Sequence, residues 1–539
     1  MAISQNSAFV SGSLVSVEEG ILSGLQTSNG GRAFLGVPYA APPVGDLRWR
    51  APQAPAKWEG IREARIYGPS SIQFPPPSNS IYSGGETKFS EDCLYLNIWT
   101  GADGSHDRPV LVWFHFGAFV FGSGSNPYYD GEKLAAQGLT VVTFNYRLGR
   151  LGFLAHPELS AESQYKTSGN YGILDQIAAL EWVQRNIKAF GGNSTNVTLG
   201  GASAGASSIH ILRSAPAAKG LFSKVICESG PGVTPVLDGN GHVASFSSLR
   251  AAEEAGRDLL ESLGAKSIDE LRNVPSERIL KVHLHRAQGP WKSRLWPGSS
   301  SLSIFDTANP IIDGHILPVS PLTAFKSGDA IDVPMLAGNV ANEASGLPYL
   351  DSLAEYQAFV KTSFPGYEDS VLDLYPAGND AAANVASLQL LSDQVFLWPM
   401  WTAARLQARN LISPVWYYRF LRAPPILDEE NVIEAKFAGA FHCVGTEYGF
   451  GNLDKRNWNW TDDDRRLSES ISSTWVQFMK FGDPNLTQDS SNHWAELRNE
   501  DDWIKIWDVN ARLEKLGTEA INKILFLDQY YGMEENKRF

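Results

Sequence analysis

Gly201-Ala202-Ser203-Ala204-Gly205 follows an apolar segment, residues 196–199 (NVTL), and precedes a helical pattern that begins near Gly205. A serine flanked in this way lies on a sharp strand-to-helix turn, whose strained backbone is relieved by small neighbours on either side. The start of the helix beneath it favours negative charge that develops near the hydroxyl. The stretch therefore predicts Ser203 as a nucleophile at the end of a buried strand. An ordinary glycine-rich turn is the alternative, because the short pattern also occurs by chance.

Apolar runs and helical patterns alternate on both sides of this turn. Further runs are predicted as buried strands: residues 110–114 (VLVWF), 139–144 (LTVVTF), 224–227, 333–337 and 415–420. Between residues 171 and 190 the apolar positions recur at steps of three and four, which predicts an amphipathic helix. Strands that alternate with helices form parallel sheets covered on both faces, so we predict an α/β fold with a large, mostly parallel central sheet.

Helical patterns near residues 247–282 and 352–409 interrupt this alternation. We interpret them as helical insertions, over roughly residues 240–300 and 350–410, that help to form the wall of a pocket. The sequence contains no internal repeat and no low-complexity linker. We therefore predict that residues 1–539 form a single catalytic domain.

The composition excludes several classes of function. Of 539 residues, 43% are hydrophobic and 19% are charged, so the chain can bury a large core. The net charge of -14 repels phosphate backbones and anionic lipids, and we predict no nucleic-acid partner. No apolar run approaches the roughly 18 residues that a membrane helix needs, so no membrane span is predicted.

The N-terminus and the cysteines bear on location and cofactors. No Lys or Arg precedes Arg32 and no apolar signal core is present, so we expect a cytoplasmic protein unless a leader has been removed. Cys93, Cys227 and Cys443 are spaced too widely for a disulfide framework or a zinc site. We predict no metal and no cofactor. Cys443 is expected to be a buried, inert thiol, with a thiol nucleophile as the alternative.

A serine nucleophile needs a base that takes its proton and an acid that orients the base. Where the serine lies on such a turn, the chain order is serine, acid, histidine. His442 lies in a glycine-rich loop after the strand at 415–420, as expected for such a base, whereas His493 follows a polar run and is expected to face solvent. Glu343 lies just past the strand at 333–337 and is the candidate acid, with a solvated loop glutamate as the alternative. His115 and His210 are expected to be structural hydrogen-bonding residues.

A series of short motifs runs along nearly the whole chain: residues 34–40 (FLGVPYA), 91–97 (EDCLYLN), 145–149 (NYRLG), 190–192 (FGG) and 482–485 (GDPN). In this order, and together with the turn at Ser203, they resemble the type-B carboxylesterase/lipase family, which also contains the cholinesterases. The resemblance implies the α/β-hydrolase fold and ester hydrolysis through an acyl-enzyme. It also implies that Ser203, Glu343 and His442 form a catalytic triad.

An oxyanion hole needs backbone N–H groups placed where the charge of the tetrahedral intermediate develops. One N–H is expected from Ala204, which follows the nucleophile. The family carries His-Gly-Gly-Gly after the strand at 110–114, and this chain has His115-Phe116-Gly117-Ala118. The resemblance therefore implies Gly117 and Ala118 as the other donors. The Phe116 ring and the Ala118 methyl group are expected to narrow the space beside the hole.

Several departures from the family pattern bear on the substrate. Ala202 stands where the family usually has glutamate, and Gly445 stands where it often has an acid. No tryptophan occurs between Ser70 and Glu91 to stack on a cation. We therefore predict a neutral, largely apolar small-molecule ester as the substrate.

The resemblance also bears on Cys93. Ser70-Ser71 occupy the stretch in which the family's usual partner of this cysteine lies. We therefore expect Cys93 to be a free thiol.

Two other functions use the same sequence features. An acyltransferase, a transesterase or a lactone-acting tailoring enzyme would use the same triad with another acceptor or substrate. A catalytically inactive binding protein of the same fold is the alternative from another class, and the altered oxyanion loop is the feature that favours it. The sequence leaves the exact ester, the acyl acceptor and the oligomeric state open.

Overall fold

The computed structural model describes residues 14–102, 104–235, 246–282, 291, 309–346, 348–427, 432, 438–485, 493–498 and 503–533, and the structural statements below concern these residues. Strands β1–β18 are Leu14–Val17, Gly20–Ser23, Leu25–Gln26, Arg32–Pro38, Ile61–Glu63, Ser70–Ser71, Phe89–Ser90, Tyr95–Thr100, Arg108–Phe114, Thr140–Phe144, Gly192–Ala202, Lys224–Glu228, Ser247–Ser248, Ile311–Ile312, Met335–Val340, Val415–Phe420, Trp503–Trp507 and Arg512–Lys515. Helices α1–α16 are Glu132–Ala136, Gly149–Phe153, Pro157–Glu162, Tyr171–Asn186, Ala204–Ser214, Leu249–Ser262, Ile268–Arg272, Ser276–Lys281, Pro321–Ser327, Leu353–Ser363, Glu368–Leu374, Asp380–Ser392, Trp398–Asn410, Val444–Phe450, Asp462–Phe481 and Thr518–Tyr530.

One sheet dominates the fold. Eleven strands in the described part of the chain form it, in the order β18-β17-β16-β15-β12-β11-β9-β10-β8-β4-β3. Neighbours from β17 to β10 pair in parallel. The strands at the two ends, β18 on one side and β8, β4 and β3 on the other, pair antiparallel. The predicted large, mostly parallel sheet is confirmed.

Helices cover both faces of this sheet, as the alternation of side chains along β9 makes clear. Val110 and Val112 belong to a core cluster that includes the apolar residues of α4 and α5. Leu111 and Trp113 point to the opposite face, into a second cluster that includes α15. There the Trp113 ring stacks on Trp475, with centroids 5.7 Å apart. Complete burial of such side chains stabilises the fold by roughly 1.5–3 kcal/mol each, and this burial fixes the helices against the sheet.

The helical patterns outside the strand-helix alternation do form helices. Helices α6–α8 span Leu249–Ser262, Ile268–Arg272 and Ser276–Lys281, and α10–α13 lie between Leu353 and Asn410. A π-helical turn, Asp393–Leu397, joins α12 to α13. Residues 240–245, 283–290 and 292–300 of the first predicted insertion lie outside the described residues. The assignment of residues 1–539 to a single domain remains a prediction.

The parallel strands place the candidate residues at one edge of the sheet. Ser203 follows β11, Glu228 ends β12, and Glu343 follows β15 by three residues. Carboxyl ends of neighbouring parallel strands meet at the same edge, which is where ligands bind in open α/β sheets. Within the described residues, no helix combines the length and apolar character that crossing a membrane requires.

Candidate active site

Ser203 occupies a strained turn between β11 and α5. Its backbone angles are φ 56° and ψ -122°, a conformation that costs a non-glycine residue on the order of 1–3 kcal/mol. The glycines on either side permit close packing: a Cβ on Gly201 would lie 2.7 Å from the carbonyl carbon of Gly205, and one on Gly205 would lie 2.0 Å from Phe114 O. The predicted strand-turn-helix conformation at this serine is confirmed.

Two neighbouring elements hold the turn in place. The Ser203 N–H donates to the Glu228 carbonyl at the end of β12, over 2.9 Å. The Ser203 carbonyl accepts from the Ser207 N–H at 2.9 Å and from the Ser207 hydroxyl at 3.2 Å. The serine is thus fixed both to the adjacent strand and to the first turn of its own helix.

Glu343 and His442 form a buried pair. His442 Nδ1 lies 2.6 Å from Glu343 Oε2, and the two side chains are 11% and 2% exposed. The other carboxylate oxygen accepts from Asn339 Nδ2 at 2.7 Å and from the Val340 N–H at 3.0 Å. The Tyr417 hydroxyl donates to Asn339 Oδ1, which orients the amide so that its nitrogen faces Glu343. A carboxylate that accepts from three N–H groups holds the imidazole with its proton on Nδ1.

Backbone contacts explain why residues 99 positions apart meet. Asn342 and Phe441 form an isolated parallel bridge. The Asn342 N–H donates to the Ala440 carbonyl at 3.0 Å, and the Ala440 N–H donates to Asn342 Oδ1 at 2.9 Å. A Cβ on Gly439, whose φ is 49°, would lie 2.2 Å from Asn342 Oδ1, so the loop packs this closely because that residue is glycine.

Besides Glu343, an aromatic ring and a thiol lie next to His442. The Phe396 ring, on the π-helical turn, lies 4.2 Å from the imidazole, centroid to centroid. The second predicted helical insertion, over roughly residues 350–410, therefore does reach the candidate site. Cys443 is buried, and burial, together with the nearby carboxylates Glu343 and Glu228, raises the pKa of its thiol well above the usual value. The thiol therefore stays protonated, which agrees with an inert cysteine.

The candidate oxyanion loop has an unusual backbone. Gly117, Ala118 and Phe119 all have positive φ, at 124°, 52° and 61°. The Gly117 carbonyl accepts from the N–H groups of Val120 and Phe121, at 2.9 and 3.0 Å, so the loop folds back on itself. Tight turns of this kind can direct successive N–H groups into one concavity that binds an anion.

Phe116 and His115 are fixed by packing beside this loop. The Phe116 ring lies edge-on to Tyr82, Phe121 and Tyr129, with centroids 6.0, 6.1 and 5.7 Å away. His115 stacks on Tyr146 at 4.4 Å and contacts the Phe116 carbonyl through Nδ1 at 2.8 Å. Burial lowers the pKa of His115 to about 4, so this residue is neutral and structural, as expected.

His210 differs from the expectation. Both of its ring nitrogens are buried and, among the described residues, neither contacts a hydrogen-bonding partner. The ring instead packs edge-on to Phe325 at 5.6 Å. Burial lowers the pKa of His210 to about 3, so it is a neutral core residue. The prediction that it forms structural hydrogen bonds is wrong for the part of the chain that the structure describes.

Glu228 is a candidate functional residue that the sequence analysis missed. It is 4% exposed at the end of β12 and accepts from the Tyr418 hydroxyl at 2.6 Å and from Thr446 Oγ1 at 2.9 Å. The sequence did offer one signal for this residue: it is a charged residue at the end of the apolar run of a predicted buried strand. Its carboxyl lies between Ala202 and Gly445, the two positions at which this chain lacks the acids that the family usually or often has.

A serine in a strand-to-helix turn, with a buried glutamate–histidine pair at the same edge of a parallel sheet, defines the class of serine hydrolases with the α/β-hydrolase fold. The Carboxylesterase family profile matches residues 11–522. This chain belongs to that family and is a hydrolase of carboxylic esters.

Curated relatives agree with this membership. The chain is 36% identical over 480 residues to the fumonisin B1 esterase of Sphingopyxis macrogoltabida, with 86% of this chain and 81% of that one covered. It is 36% identical over 489 residues to the para-nitrobenzyl esterase of Bacillus subtilis (strain 168), which covers 88% and 90%. The cholinesterase of Mus musculus is 32% identical over 490 residues, covering 86% and 77%.

Solved structures give the same result for the fold. A PNB esterase structure superposes with a TM-score of 0.77 at 32% identity, and covers 95% of this chain and 99% of its own. The α/β-hydrolase fold that the resemblance implied is therefore confirmed.

Proposed function

We propose that this carboxylesterase hydrolyses neutral, largely apolar esters through an acyl-enzyme on Ser203. His442 is the general base and Glu343 is the acid that orients it. The observation that carries this proposal is the buried 2.6 Å contact between Glu343 and His442, at the sheet edge where Ser203 follows β11.

The reaction has two halves. In the first, His442 takes the proton of the Ser203 hydroxyl while the oxygen attacks the acyl carbon, and the carbonyl oxygen becomes an oxyanion. The tetrahedral intermediate collapses, the bond to the alcohol oxygen breaks, and His442 protonates the departing alcohol. In the second half water attacks the acyl carbon, His442 takes the proton of water, and the carboxylic acid leaves as Ser203 regains its proton.

Glu343 contributes to both halves. Its contact with Nδ1 keeps the proton of neutral His442 on that nitrogen, so that Nε2 is the basic nitrogen. Its negative charge stabilises the imidazolium that forms in each step. The two hydrogen bonds from Asn339 and Val340 hold the carboxylate, so it needs little rearrangement when that charge appears.

The oxyanion requires N–H donors that are already in place. We assign these to Ala204, at the start of α5, and to Gly117 and Ala118 in the loop after β9. The positive φ angles of Gly117 and Ala118 support this assignment, because a strained backbone persists where the surrounding structure fixes it. Ala118 in place of the family's glycine keeps its N–H, so the change leaves the donor intact.

The environment of the triad favours neutral substrates. Glu228 is buried and both of its oxygens accept hydrogen bonds from hydroxyl groups, so its carboxyl is engaged within the protein. Phe396 covers one side of His442, and the Phe116 ring is held in an aromatic cluster. A cation that entered such a pocket would lose water without gaining an acid at position 202 or 445.

The names of the relatives support an ester substrate and leave its alcohol open. They include the two esterases above, a phenmedipham hydrolase of Pseudarthrobacter oxydans at 32% identity, and a cholinesterase. Because these names include a cholinesterase and enzymes named for other compounds, the choice of substrate depends on the residues of this chain. The absence of acids at positions 202 and 445 is what favours the neutral class.

A covalent probe tests the assignment of the nucleophile. A fluorophosphonate should form one adduct on Ser203, located by peptide mass spectrometry, and Ser203→Ala should abolish both the adduct and ester turnover. Ser214→Ala is the matched control, because Ser214 lies on the same helix and is 9% exposed, as is Ser203. An adduct on Cys443, or turnover by the folded Ser203→Ala protein, would overturn the proposal.

The same samples separate hydrolysis from the two alternatives. Mass spectrometry of the products with added alcohols or amines measures how the acyl group divides between water and another acceptor. A transferase would pass most of the acyl group to the added acceptor. An inactive binding protein would form no adduct at all, and the buried Glu343–His442 pair argues against that outcome.

A further inference from the structure

Four residues in register form a row across the carboxyl ends of four strands. Ala202 pairs with Glu228, Glu228 with Gly338, and Gly338 with Tyr418. Residues that pair in register point to the same face of a sheet. The side chain of Glu228 therefore projects between two positions that carry little or no side chain.

The glycine in this row lets the tyrosine reach the glutamate. A Cβ on Gly338 would lie 2.5 Å from the Tyr418 ring, so the ring lies across the glycine. From there the Tyr418 hydroxyl donates to Glu228 Oε1 over 2.6 Å. A side chain at position 338 would displace the ring and break this contact.

The other side of the carboxyl contacts the segment that follows His442. Thr446 Oγ1 donates to Glu228 Oε2 at 2.9 Å. A Cβ on Gly445 would lie only 2.7 Å from Glu228 Oε1, so the carboxyl fills the space that a side chain at 445 would need. Both residues belong to α14, which starts two residues after His442. Glu228 thus contacts the Ser203 turn through its carbonyl and the histidine segment through its carboxyl.

Burying a carboxyl group costs free energy, so a carboxyl is an unfavourable choice for a purely structural contact at this position. It is buried, and its two hydrogen bonds come from hydroxyl groups, whereas a buried carboxylate is usually paired with a cation. Burial raises the pKa of Glu228 to about 7 despite these hydrogen bonds, and the charge of Glu343 adds to the increase. The group therefore changes charge close to neutral pH.

Several titratable groups pack around Glu228. Tyr418 from β16, Cys227 from β12 and Cys443 before α14 all have pKa values raised by burial and remain neutral. Glu447 on α14 contacts Arg456 through Oε1, and burial raises its pKa. Glu343 and His442 are the catalytic pair. Among these described groups, Glu228 is the carboxyl whose side-chain hydrogen bonds come from hydroxyl groups.

We propose that Glu228 is a positioning residue for ester hydrolysis, which fastens the Ser203 turn to the segment carrying His442 and stabilises the imidazolium. This inference rests on the proposed function of Ser203 and His442. When Glu228 is ionised, its negative charge adds to that of Glu343 and favours the protonated form of His442. The Glu228 carboxyl makes no bond to the substrate, because it is buried and its oxygens already accept hydrogen bonds from two hydroxyl groups.

Glu228→Gln tests the charge while keeping the size of the side chain. With a neutral butyrate ester, we expect kcat to fall roughly 10-fold at and above neutral pH, as small displacements of catalytic groups can cause. Because the imidazolium loses a negative neighbour, the acid limb of the kcat/KM profile should move to lower pH, by about half a unit. A link with only a structural role would change stability and leave the position of that limb unchanged.

Asp393→Asn is the matched control. Asp393 is partly buried, with its side chain 13% exposed, accepts from the Tyr375 hydroxyl at 3.0 Å, and has a pKa raised by burial to about 6. Within the described part of the chain, its side chain has no hydrogen bond to the Ser203 turn or to α14, so its variant should keep the wild-type acid limb. Wild-type kcat and an unmoved acid limb in folded Glu228→Gln would overturn the proposal.

A double-mutant cycle tests the packing independently of the charge. Gly445→Ala should lower kcat in the wild-type background, where its methyl group meets the Glu228 carboxyl, and should have little further effect in Glu228→Ala, where that space is empty. Additive effects would contradict the contact. Activity retained by Ser203→Ala would refute the proposed function itself, whereas an inactive Ser203→Ala beside a normal Glu228→Gln would refute this inference alone.

Discussion

Glutamine in place of Glu343 would remove the negative charge beside His442 and keep the size of the side chain. The carboxylate accepts from His442 Nδ1 at 2.6 Å, from Asn339 Nδ2 at 2.7 Å and from the Val340 N–H at 3.0 Å. A glutamine amide has one acceptor oxygen and one donor group, so it cannot accept at both positions. The amide group of Glu343→Gln must therefore adopt one of two orientations.

In one orientation the amide nitrogen would face the donors of Asn339 and Val340. Leaving these buried donors unsatisfied costs about 1–3 kcal/mol each, so this orientation is disfavoured. In the other, the amide oxygen keeps both donors and the nitrogen faces His442. The imidazole must then accept at Nδ1 and carry its proton on Nε2, which is the wrong tautomer for a base.

The expected loss of activity follows from this tautomer. In a serine protease the corresponding change lowers kcat by roughly 10,000-fold, which corresponds to about 5 kcal/mol of activation free energy. We expect Glu343→Gln to lose between about 1,000- and 10,000-fold in kcat. Its free energy of unfolding should change by no more than about 2 kcal/mol, because the amide oxygen keeps both donors and the amide nitrogen donates to His442 in place of the third contact.

The assay is the steady-state hydrolysis of a neutral butyrate ester, with thermal unfolding of the same samples. Glu343→Asp is the comparison variant, because it keeps the charge and shortens the reach by one methylene group. Its activity should lie between those of the wild type and Glu343→Gln. A folded Glu343→Gln protein within about 10-fold of wild-type kcat would refute the tautomer argument and assign the acid to another carboxylate.

The remaining predictions use other parts of the molecule. Burial raises the pKa of all three thiols, so iodoacetamide should modify none in the native protein at neutral pH, and thiol counting after denaturation should give three per chain without reduction. Gly205→Ala places a methyl group 2.0 Å from Phe114 O and should destabilise the fold by more than about 3 kcal/mol or prevent folding, whereas Gly517→Ala, which meets open space, should change stability by less than about 1 kcal/mol in chemical denaturation. The specificity constant for a neutral butyrate ester should exceed that for butyrylcholine when leaving groups are of similar acidity; a preference for the choline ester would point to an anionic subsite.

The local sequence was sufficient to predict the structure wherever residues adjacent in the chain determine it. The turn at Ser203 and the main strands of the sheet follow from apolar runs and small residues that are adjacent in the chain. Strand bounds differ by a few residues for identifiable reasons. The strand predicted from residue 333 begins at Met335, because Pro334 has no N–H to donate. The Pro334 carbonyl still accepts, from the Val225 N–H at 3.0 Å.

Contacts between distant segments could not be derived from local patterns. The pairing of Glu343 with His442 depends on the bridge between Asn342 and Phe441, and the family resemblance supplied it. Glu228 was missed because its role depends on strand register, which brings Gly338 and Tyr418 beside it. Sequence alone shows a glutamate at the end of an apolar run, and not what lies on either side.

The bridge between Asn342 and Phe441 has a consequence for the order of folding. Loop closure over long separations is slow, and large proteins often collapse before their distant segments dock. The strand and turn that carry Ser203 can form before residues near Ala440 have reached Asn342. During refolding, tryptophan burial should therefore recover before esterase activity, and the delay between the two signals would measure how late the histidine segment docks.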